Sequence, residues 1–321
     1  MNHLDNFGTN LTSGTSASDT TSPVNSVPSI AAPFWVAFDA TNINNHYEPK
    51  LITSKTATNI LHSALSYDHT TAEEVRIVNP AAEFDALSTG WQTGPGTWTY
   101  SSADSPTFVL TTSVDLSSFI GVGARIKLTQ STVKYFIVTA ISGTTITLYG
   151  GTDYTLTSGA ITLPYFSIMK APLGFPLDPL KWGVYVTDTS SRLQASPSSG
   201  TVYNPGTTNV QISVPIGSWK FGYEVNAYVN NDTATDTNNM STSLSTANNS
   251  HSDVTMKSTI RNSGASGSWS MVVSVRREKS LLVAAKTLYY LVCSVDAASV
   301  ENIGFRGDIG NTNLFAVSSY L

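Results

Sequence analysis

This sequence has a single cysteine and few charged residues. Cys293 is the only cysteine among 321 residues, so no disulfide can form within the chain, and stability must come from packing or from assembly. Charged residues make up 12% of the chain, which is about half the usual share in a soluble protein. Threonine, serine, asparagine and glycine take their place, as is common on the wet faces of β-sheets.

Positive charge and long apolar runs are scarce as well. The 17 Lys and Arg stand against 22 Asp and Glu, which gives a net charge of −5. Because phosphate binding needs clustered Lys and Arg, we expect no nucleic-acid partner. No apolar run approaches the ~18 residues of a membrane span, and no basic start precedes an apolar core near Met1. We therefore expect neither a membrane span nor a secretory signal peptide, and synthesis in a cytoplasm.

Motifs that would carry catalysis are missing too. The chain has no Gly-x-Ser-x-Gly elbow and no phosphate-binding Gly-x-x-x-x-Gly-Lys loop, and its acidic residues are scattered rather than paired. His46, His62 and His69 lie near Glu73 and Glu74, yet their spacing fits no zinc pattern. We expect no catalytic residue, no cofactor and no metal. A glycan-cleaving hydrolase is kept as a minor alternative.

What the sequence does have is alternation of apolar and polar residues, which predicts strands with one buried face. In residues 89–166 the alternating runs are separated by glycine- and proline-containing turns. We predict a small, β-barrel-like module there. Its strands are predicted at Thr97–Tyr100, Thr107–Leu110, Ala124–Thr129, Val133–Val138, Thr145–Tyr149 and Ala160–Leu163.

Residues 201–321 carry a second series of strand patterns. Seven antiparallel strands at this spacing indicate a two-sheet β-sandwich or jelly roll. The predicted strands are Asn209–Pro215, Gly217–Val229, Asp253–Ile260, Gly267–Arg277, Thr287–Val295, Asn302–Gly307 and Leu314–Tyr320. The fold class is therefore all-β and multidomain.

Three further segments lie outside these two domains, two of them before the module and one between the module and the sandwich. Residues 1–30 are polar and are predicted to form an extended arm that orders against a neighbouring subunit or stays disordered. Residues 31–88 form a small anchoring unit, with a short helix predicted at Lys55–Leu65. Residues 167–200 are a proline-rich connector. Because the connector also holds many large apolar residues, we expect it to pack along a domain or subunit interface.

The module carries a resemblance to a known family. Gly90-Trp91, Thr97-Trp98-Thr99-Tyr100, Gly123 to Gln130 and Val133-Lys134-Tyr135-Phe136 resemble a small β module of bacteriophage tail, fibre and baseplate proteins. The match continues at Ile146-Thr147 and at Asp153, Tyr154 and Leu156. It covers about a quarter of the chain. The resemblance implies a structural virion protein and no enzymatic activity.

The C-terminal domain has a weaker resemblance. Trp219 in a long strand, Leu288-Tyr289-Tyr290-Leu291, and Phe315 to Leu321 at the end are similar to the trimeric jelly rolls of the tumour-necrosis-factor and complement type. In that family the last strand lies near the threefold axis. The resemblance therefore implies a homotrimer with Phe315, Tyr320 and Leu321 at its interface.

A polar stretch of some twenty residues, Asn230 to Ser252, is predicted to be a long loop, and such loops are usually functional or mobile. Amide and hydroxyl groups bind sugar hydroxyls, so the loop is a candidate contact for a host-surface glycan, with Tyr203 as a candidate aromatic. The contact residues predicted in this loop are Asn230, Asn231, Asp232, Asn238, Asn239, Asn248 and Asn249.

These observations together predict a structural component of a phage virion, in a tail fibre, tail or baseplate, made in the bacterial cytoplasm. The N-terminal region is expected to bind other virion proteins. Three alternatives remain open at this point: a head-fibre or capsid-decorating protein, a glycan-recognising receptor-binding protein, and the hydrolase.

Overall fold

A computed structural model describes residues 8–27, 32, 34–39, 47–77, 88–231, 238–262, 269–297 and 300–321. The described chain is almost entirely antiparallel β-structure, which confirms the predicted fold class. It divides into two compact units, residues 1–89 and 90–321. None of the described helices is long and apolar enough to cross a membrane.

The N-terminal unit consists of two small sheets. Their strand orders are β1-β7-β3-β4 and β2-β6-β5, where β1 is Gly8–Asn10, β2 Thr21–Pro23, β3 Phe34–Phe38, β4 Glu48–Ile52, β5 Ser54–Lys55, β6 Asn59–Leu61 and β7 Glu74–Ile77. The described part of the predicted arm pairs within this unit. The polar arm can do so because strand pairing uses backbone hydrogen bonds, which need no apolar side chain. Its residues Leu11 and Val24 are buried in the core of the unit.

The predicted module is one seven-stranded sheet of order β8-β14-β11-β12-β13-β10-β9. Its inward side chains form one core, so the sheet curls around itself. The strands are β8 Gln92–Thr93, β9 Trp98–Asp104, β10 Thr107–Thr112, β11 Arg125–Gln130, β12 Thr132–Ser142, β13 Thr145–Tyr149 and β14 Thr162–Ser167. All six predicted strands are found here, because period-two alternation is a local signal.

The rest of the second unit is a two-sheet sandwich. The first sheet has the order β15-β25-β19-β24-β16, with β22 on the other edge of β19, and the second has β17-β23-β20-β21, with β18 also on β23. The strands are β15 Gly183–Asp188, β16 Ser191–Ala195, β17 Val202–Tyr203, β18 Gln211–Val214, β19 Gly217–Asn231, β20 Asn238–Ser245, β21 Ser258–Asn262, β22 Trp269–Val283, β23 Thr287–Val295, β24 Val300–Arg306 and β25 Thr312–Ser318. Short 3₁₀ turns occur at Pro179–Trp182 and Val254–Met256.

Two local predictions are wrong. The predicted helix at Lys55–Leu65 is instead the hairpin of β5 and β6, because the turn at residues 56–58 lets Thr56 and Asn59 hydrogen-bond across it. The predicted loop from Asn230 to Ser252 is mostly strand, since β19 ends at Asn231 and β20 runs from Asn238 to Ser245. One face of β20 places Met240 and Leu244 in the core. On the other face its serines hydrogen-bond to Thr259, His251 and Ser250.

The connector is also more ordered than its prolines suggested. Its second half forms β15 and β16, which pair with β25 and β24 in the first sheet of the sandwich. Its first half runs over the module, where its side chains divide in two directions. Phe175 and Trp182 point inward, with their rings stacked at 5.0 Å. Leu173, Leu177 and Leu180 point outward and are between 53% and 70% exposed.

Aromatic rings join the module to the sandwich. Tyr149 from β13 lies edge-on to Trp219 from β19, with ring centroids 5.0 Å apart, and it also contacts Trp182. Ile137 and Trp91 of the module belong to the same core cluster as the sandwich. Because this core is shared, the module and the sandwich pack together as one compact unit, residues 90–321.

Two buried tyrosines of this core allow a matched test. The hydroxyl of Tyr149 has no hydrogen-bond partner among the described residues, and burial raises its pKa. The hydroxyl of Tyr223 contacts the Thr242 carbonyl oxygen, the Thr242 hydroxyl and the Met256 carbonyl oxygen, each at 3.1 Å. A buried polar group costs free energy when it is unpaired and stabilises when it is paired.

We predict that Tyr149→Phe raises the free energy of unfolding of this unit by about 1 kcal/mol, whereas Tyr223→Phe lowers it by a similar amount. Urea unfolding followed by tryptophan fluorescence measures this, since five of the six tryptophans lie after residue 90. A loss of stability in Tyr149→Phe equal to that in Tyr223→Phe would contradict the assignment of an unpaired hydroxyl.

Candidate binding surface

The predicted glycan-contact residues do not form one site. Asn231 and Asn238 are buried, with 0% and 1% of their surface exposed, and Asp232 lies outside the described residues. Asn230 donates a hydrogen bond from Nδ2 to Glu301. The backbone N–H of Asn239 donates to Asp296 Oδ1 at 2.8 Å. Asn230 and Asn239 are thus engaged within the sandwich, whereas the side-chain amide of Asn238 is buried with no hydrogen-bond partner among the described residues.

Asn248 and Asn249 are exposed, at the turn that follows β20. The Ser252 hydroxyl accepts from the backbone N–H of Thr246 at 2.9 Å, and the Ser245 hydroxyl donates to the Ser250 carbonyl oxygen at 2.5 Å. The turn therefore folds back over the second sheet instead of projecting from it. Tyr203 is also held, since its hydroxyl accepts from the Ser198 N–H at 2.9 Å.

His251 anchors this turn to the sheet. Its Nδ1 lies 2.6 Å from the Ser243 hydroxyl of β20, and its Nε2 lies 2.9 Å from the Ser294 hydroxyl of β23. Burial, with a smaller contribution from Lys257, lowers the pKa of His251 to about 4. The imidazole is therefore neutral near pH 7, where one ring nitrogen donates and the other accepts.

The predicted trimer-interface residues lie in two places. Phe315 is partly buried and points to the outer face of the first sheet. Tyr320 and Leu321 pack against the shared core, and the Tyr320 hydroxyl accepts from the Ser218 N–H at 3.0 Å. The Tyr320 carbonyl oxygen accepts from Arg125 Nη2 at 2.6 Å. Their role between subunits stays a prediction.

The two described histidines of the N-terminal unit, His62 and His69, are paired within it. His69 Nδ1 lies 2.5 Å from Glu73 Oε1 and its Nε2 lies 3.3 Å from Glu48 Oε2, and all three side chains are buried. His62 Nε2 lies 2.9 Å from the Ser22 hydroxyl. His46 lies outside the described residues. No group of three or more ligands suited to a metal ion occurs in the described part of the chain.

Burial alone would raise the pKa of Glu48. Hydrogen bonds from Lys50, from Ser66 and from His69 outweigh that effect and lower the pKa to about 2. Burial lowers the pKa of His62. Each ring nitrogen of His62 and His69 faces a partner of the same unit, so these clusters connect the turns at residues 62–73 to β2 and β4 and stabilise them.

A groove of about 320 Å³ crosses the outer face of the first sheet of the sandwich. The strand register places its lining side chains in rows across β15, β25, β19 and β22. One row is Tyr185, Phe315, Gly222 and Glu278. The next is Thr187, Asn313, Glu224 and Arg276. We call this surface the outer groove. The outer groove was not predicted from the sequence, because its four strands are far apart along the chain and no local pattern shows that they pair.

Two glycines give the outer groove a flat floor. A Cβ atom at Gly183 would lie 2.4 Å from the Tyr185 ring, and one at Gly222 would lie 2.7 Å from Cζ of Phe315. Both rings therefore lie over backbone rather than standing away from the sheet. Tyr185 is 42% exposed, so its ring offers an accessible aromatic surface. The Arg276 guanidinium lies 5.4 Å from the centre of the Phe315 ring.

The charges in the outer groove balance one another. Lys220 Nζ lies 2.9 Å from Glu278 Oε1, and Arg276 lies 3.4 Å from Glu224 and 3.1 Å from Glu278. These ion pairs are solvent-exposed, so each contributes little to stability. Their carboxylate oxygens and guanidinium N–H groups keep free hydrogen-bonding capacity at the solvent side.

Comparison with known proteins gives no family. No family model matches this chain, and no curated protein matches it. Among solved structures, PorU of Porphyromonas gingivalis aligns at 12% identity over 70% of this chain and 24% of PorU, with a TM-score of 0.23. This chain thus spans about a quarter of PorU.

Two structures from infectious bursal disease virus also align. The Gx strain structure does so at 10% identity over 97% of this chain and 75% of that chain, with a TM-score of 0.21. The VP2 subviral particle aligns at 11% identity over 96% and 77%, with a TM-score of 0.22. Scores this low carry no argument about fold or role.

The lowered pKa of His251 predicts a pH dependence of stability. The folded chain binds the proton less readily than the unfolded chain, whose histidine pKa is about 6.5. The contribution of neutral His251 to the stability of this unit is therefore fully present above about pH 6.5, and it is lost as the pH falls towards 4. We predict that His251→Gln, which keeps hydrogen-bonding groups but does not titrate, reduces this loss.

Midpoints of urea unfolding at pH 7.5 and pH 4.5 measure the effect in both chains. The matched control is His62→Gln, which alters a histidine of the other unit and leaves the pH response of residues 90–321 unchanged. An identical pH response of the second unit in wild type and His251→Gln would show that His251 does not cause it.

Proposed function

We propose that this chain is a structural subunit of a bacteriophage particle, a component of the tail fibre, tail or baseplate, that acts by assembly and by attachment to the host surface. In this proposal the chain has no catalytic activity and works as a homotrimer. It is made in the bacterial cytoplasm and functions in the virion. The resemblance of residues 90–166 to phage tail modules supports this role, and so does the all-β architecture.

The observation that carries the assembly role is a set of exposed apolar side chains in one segment of the second unit. Large exposed apolar surfaces on a soluble chain are covered by a partner or a ligand. We call this set the connector row, and it consists of Leu163, Ile168, Met169, Leu173, Leu177 and Leu180, which are between 52% and 73% exposed.

The inward half of the same segment explains why the connector row is a surface for association. Phe175 and Trp182 already fill the joint between module and sandwich, so the outward leucines cannot fold inward without displacing them. The segment is also held at Leu173, whose carbonyl oxygen accepts from Trp91 Nε1 at 2.8 Å. Side chains on a backbone that is already held in place lose less conformational entropy when a partner covers them.

The N-terminal unit is assigned to contact with other virion proteins in this proposal. It is a separate compact unit, and its buried ion pairs join residues of that unit. A head-fibre or capsid-decorating role uses the same surfaces, and the copy number per particle separates it from a tail role. The outer groove supports a receptor-binding role for the sandwich.

We predict that the purified chain has a native mass close to three times 34.2 kDa by light scattering. We further predict that the double variant Leu173→Asp, Leu177→Asp has the mass of one chain, because a charge in a covered apolar surface is strongly unfavourable. The variant should still fold, since both sites are exposed and substitutions at such sites usually change the stability of a single chain by no more than about 0.5 kcal/mol.

The control is Val254→Asp with Leu282→Asp, which are 77% and 78% exposed and lie outside the connector row. This variant should remain a trimer. A monomeric wild type would overturn the homotrimer, and a trimeric Leu173→Asp, Leu177→Asp variant would remove the connector row from the interface. Absence of the chain from purified particles would overturn the virion role itself.

A further inference from the structure

The outer groove combines the features that recognise a sugar ring. An accessible aromatic ring packs against the apolar C–H face of a pyranose, and fixed polar groups beside it bind the hydroxyls. Tyr185 supplies the ring, lying over Gly183. Thr187, Asn313 and Glu224 follow in the next row across the sheet. We propose that the outer groove binds a neutral saccharide.

The charge balance of the groove selects a neutral ligand. Lys220 and Arg276 are each paired with Glu224 or Glu278, so no unpaired cation in the groove is available for a phosphate, sulfate or carboxylate. Hydroxyl groups can donate to the carboxylate oxygens and accept from the guanidinium without breaking these pairs. An anionic sugar would have to compete with Glu224 and Glu278 for the two cations, which a neutral sugar does not.

The dimensions fit a short stretch of oligosaccharide. The volume of about 320 Å³ is at the lower end of the range of small-ligand sites. The floor is rigid because four paired strands form it, so binding orders few groups. The glycine at position 222 is required, since a Cβ there would lie 2.4 Å from the Arg277 carbonyl oxygen as well as meeting Phe315.

This inference deepens the proposed function, because it gives the host-attachment role a site and a ligand class. It moves that site from the predicted asparagine-rich stretch to the outer face of the first sheet. It also assigns Phe315 to the groove. A groove that binds sugar must be open in the assembly, so Phe315 cannot also be covered at a trimer interface.

The test is binding of the purified full-length chain to an array of neutral hexose and N-acetylhexosamine oligosaccharides, with sialylated and uronic-acid oligosaccharides on the same array. We expect binding to neutral members. Tyr185→Ala should weaken it by roughly tenfold or more, as truncation of a central aromatic contact does. Tyr185→Phe keeps the ring and should bind like the wild type.

Glu224→Gln keeps the shape but weakens a charge-assisted hydrogen bond, and should reduce affinity several-fold. The control is Tyr67→Ala, since Tyr67 is 46% exposed and belongs to the other unit. Circular dichroism confirms that each variant is folded.

Each contrary result is decisive. No binding of the wild type to any neutral member overturns the proposal, and so does binding restricted to acidic members. Full binding by Tyr185→Ala places the sugar elsewhere. These failures leave the virion role standing if the chain is found in particles, because particle composition is measured independently of sugar binding.

Discussion

Arg125 is the residue on which the arrangement of the second unit depends. Its side chain is 1% exposed, and a buried charge is unfavourable unless hydrogen bonds compensate it. Three carbonyl oxygens do so: those of Gly123, of Lys170 and of Tyr320. The guanidinium also lies 4.9 Å from the centre of the Phe175 ring. One side chain therefore holds the module, the connector and the end of the chain together.

The shared joint has a consequence at the surface. Because Phe175 and Trp182 are fixed in it, the connector enters β15 in a single register against β25, with Tyr185 opposite Phe315. That register brings the flat aromatic ring of Tyr185 beside the glycine floor of the outer groove. The interior of the unit thus determines the geometry of its exposed face, and Leu314, which lines the groove, is itself a buried member of the shared core.

Much of the fold could be predicted from the sequence. The strands of the module and most strands of the sandwich follow from alternation, which depends only on neighbouring residues. The hairpin at residues 54–61 and the strand β20 were mispredicted. Ile60, Leu61, Ala64 and Leu65 have the spacing of one face of a helix, and this pattern suggested a helix where β5 and β6 form a hairpin. The asparagine-rich composition suggested a loop where β20 is a strand, whose polar side chains hydrogen-bond to His251 and Thr259.

The binding surface could not be predicted, for a physical reason. Each of its rows combines residues from β15, β19, β22 and β25, and pairing of strands so distant in sequence is decided by tertiary packing. Local patterns marked Asn230 to Asn249 as polar and therefore exposed. In the structure Asn231 and Asn238 are buried inside the sandwich, because β19 and β20 continue into the stretch. The polar composition alone did not distinguish such buried strand residues from the residues of an exposed recognition loop.

The two surfaces of the second unit differ in what they can hold. The connector row is apolar, so removing its surface from water lowers the free energy. A partner that covers it would therefore dissociate slowly. The outer groove keeps its charges paired and its aromatic ring in water, so a ligand there exchanges one set of hydrogen bonds for another and binds reversibly. In the proposed role the first kind of surface serves permanent assembly, and the second serves contact with a cell that must be sampled and released. The two surfaces share no residue, and in the proposed role the first is covered while the second remains open.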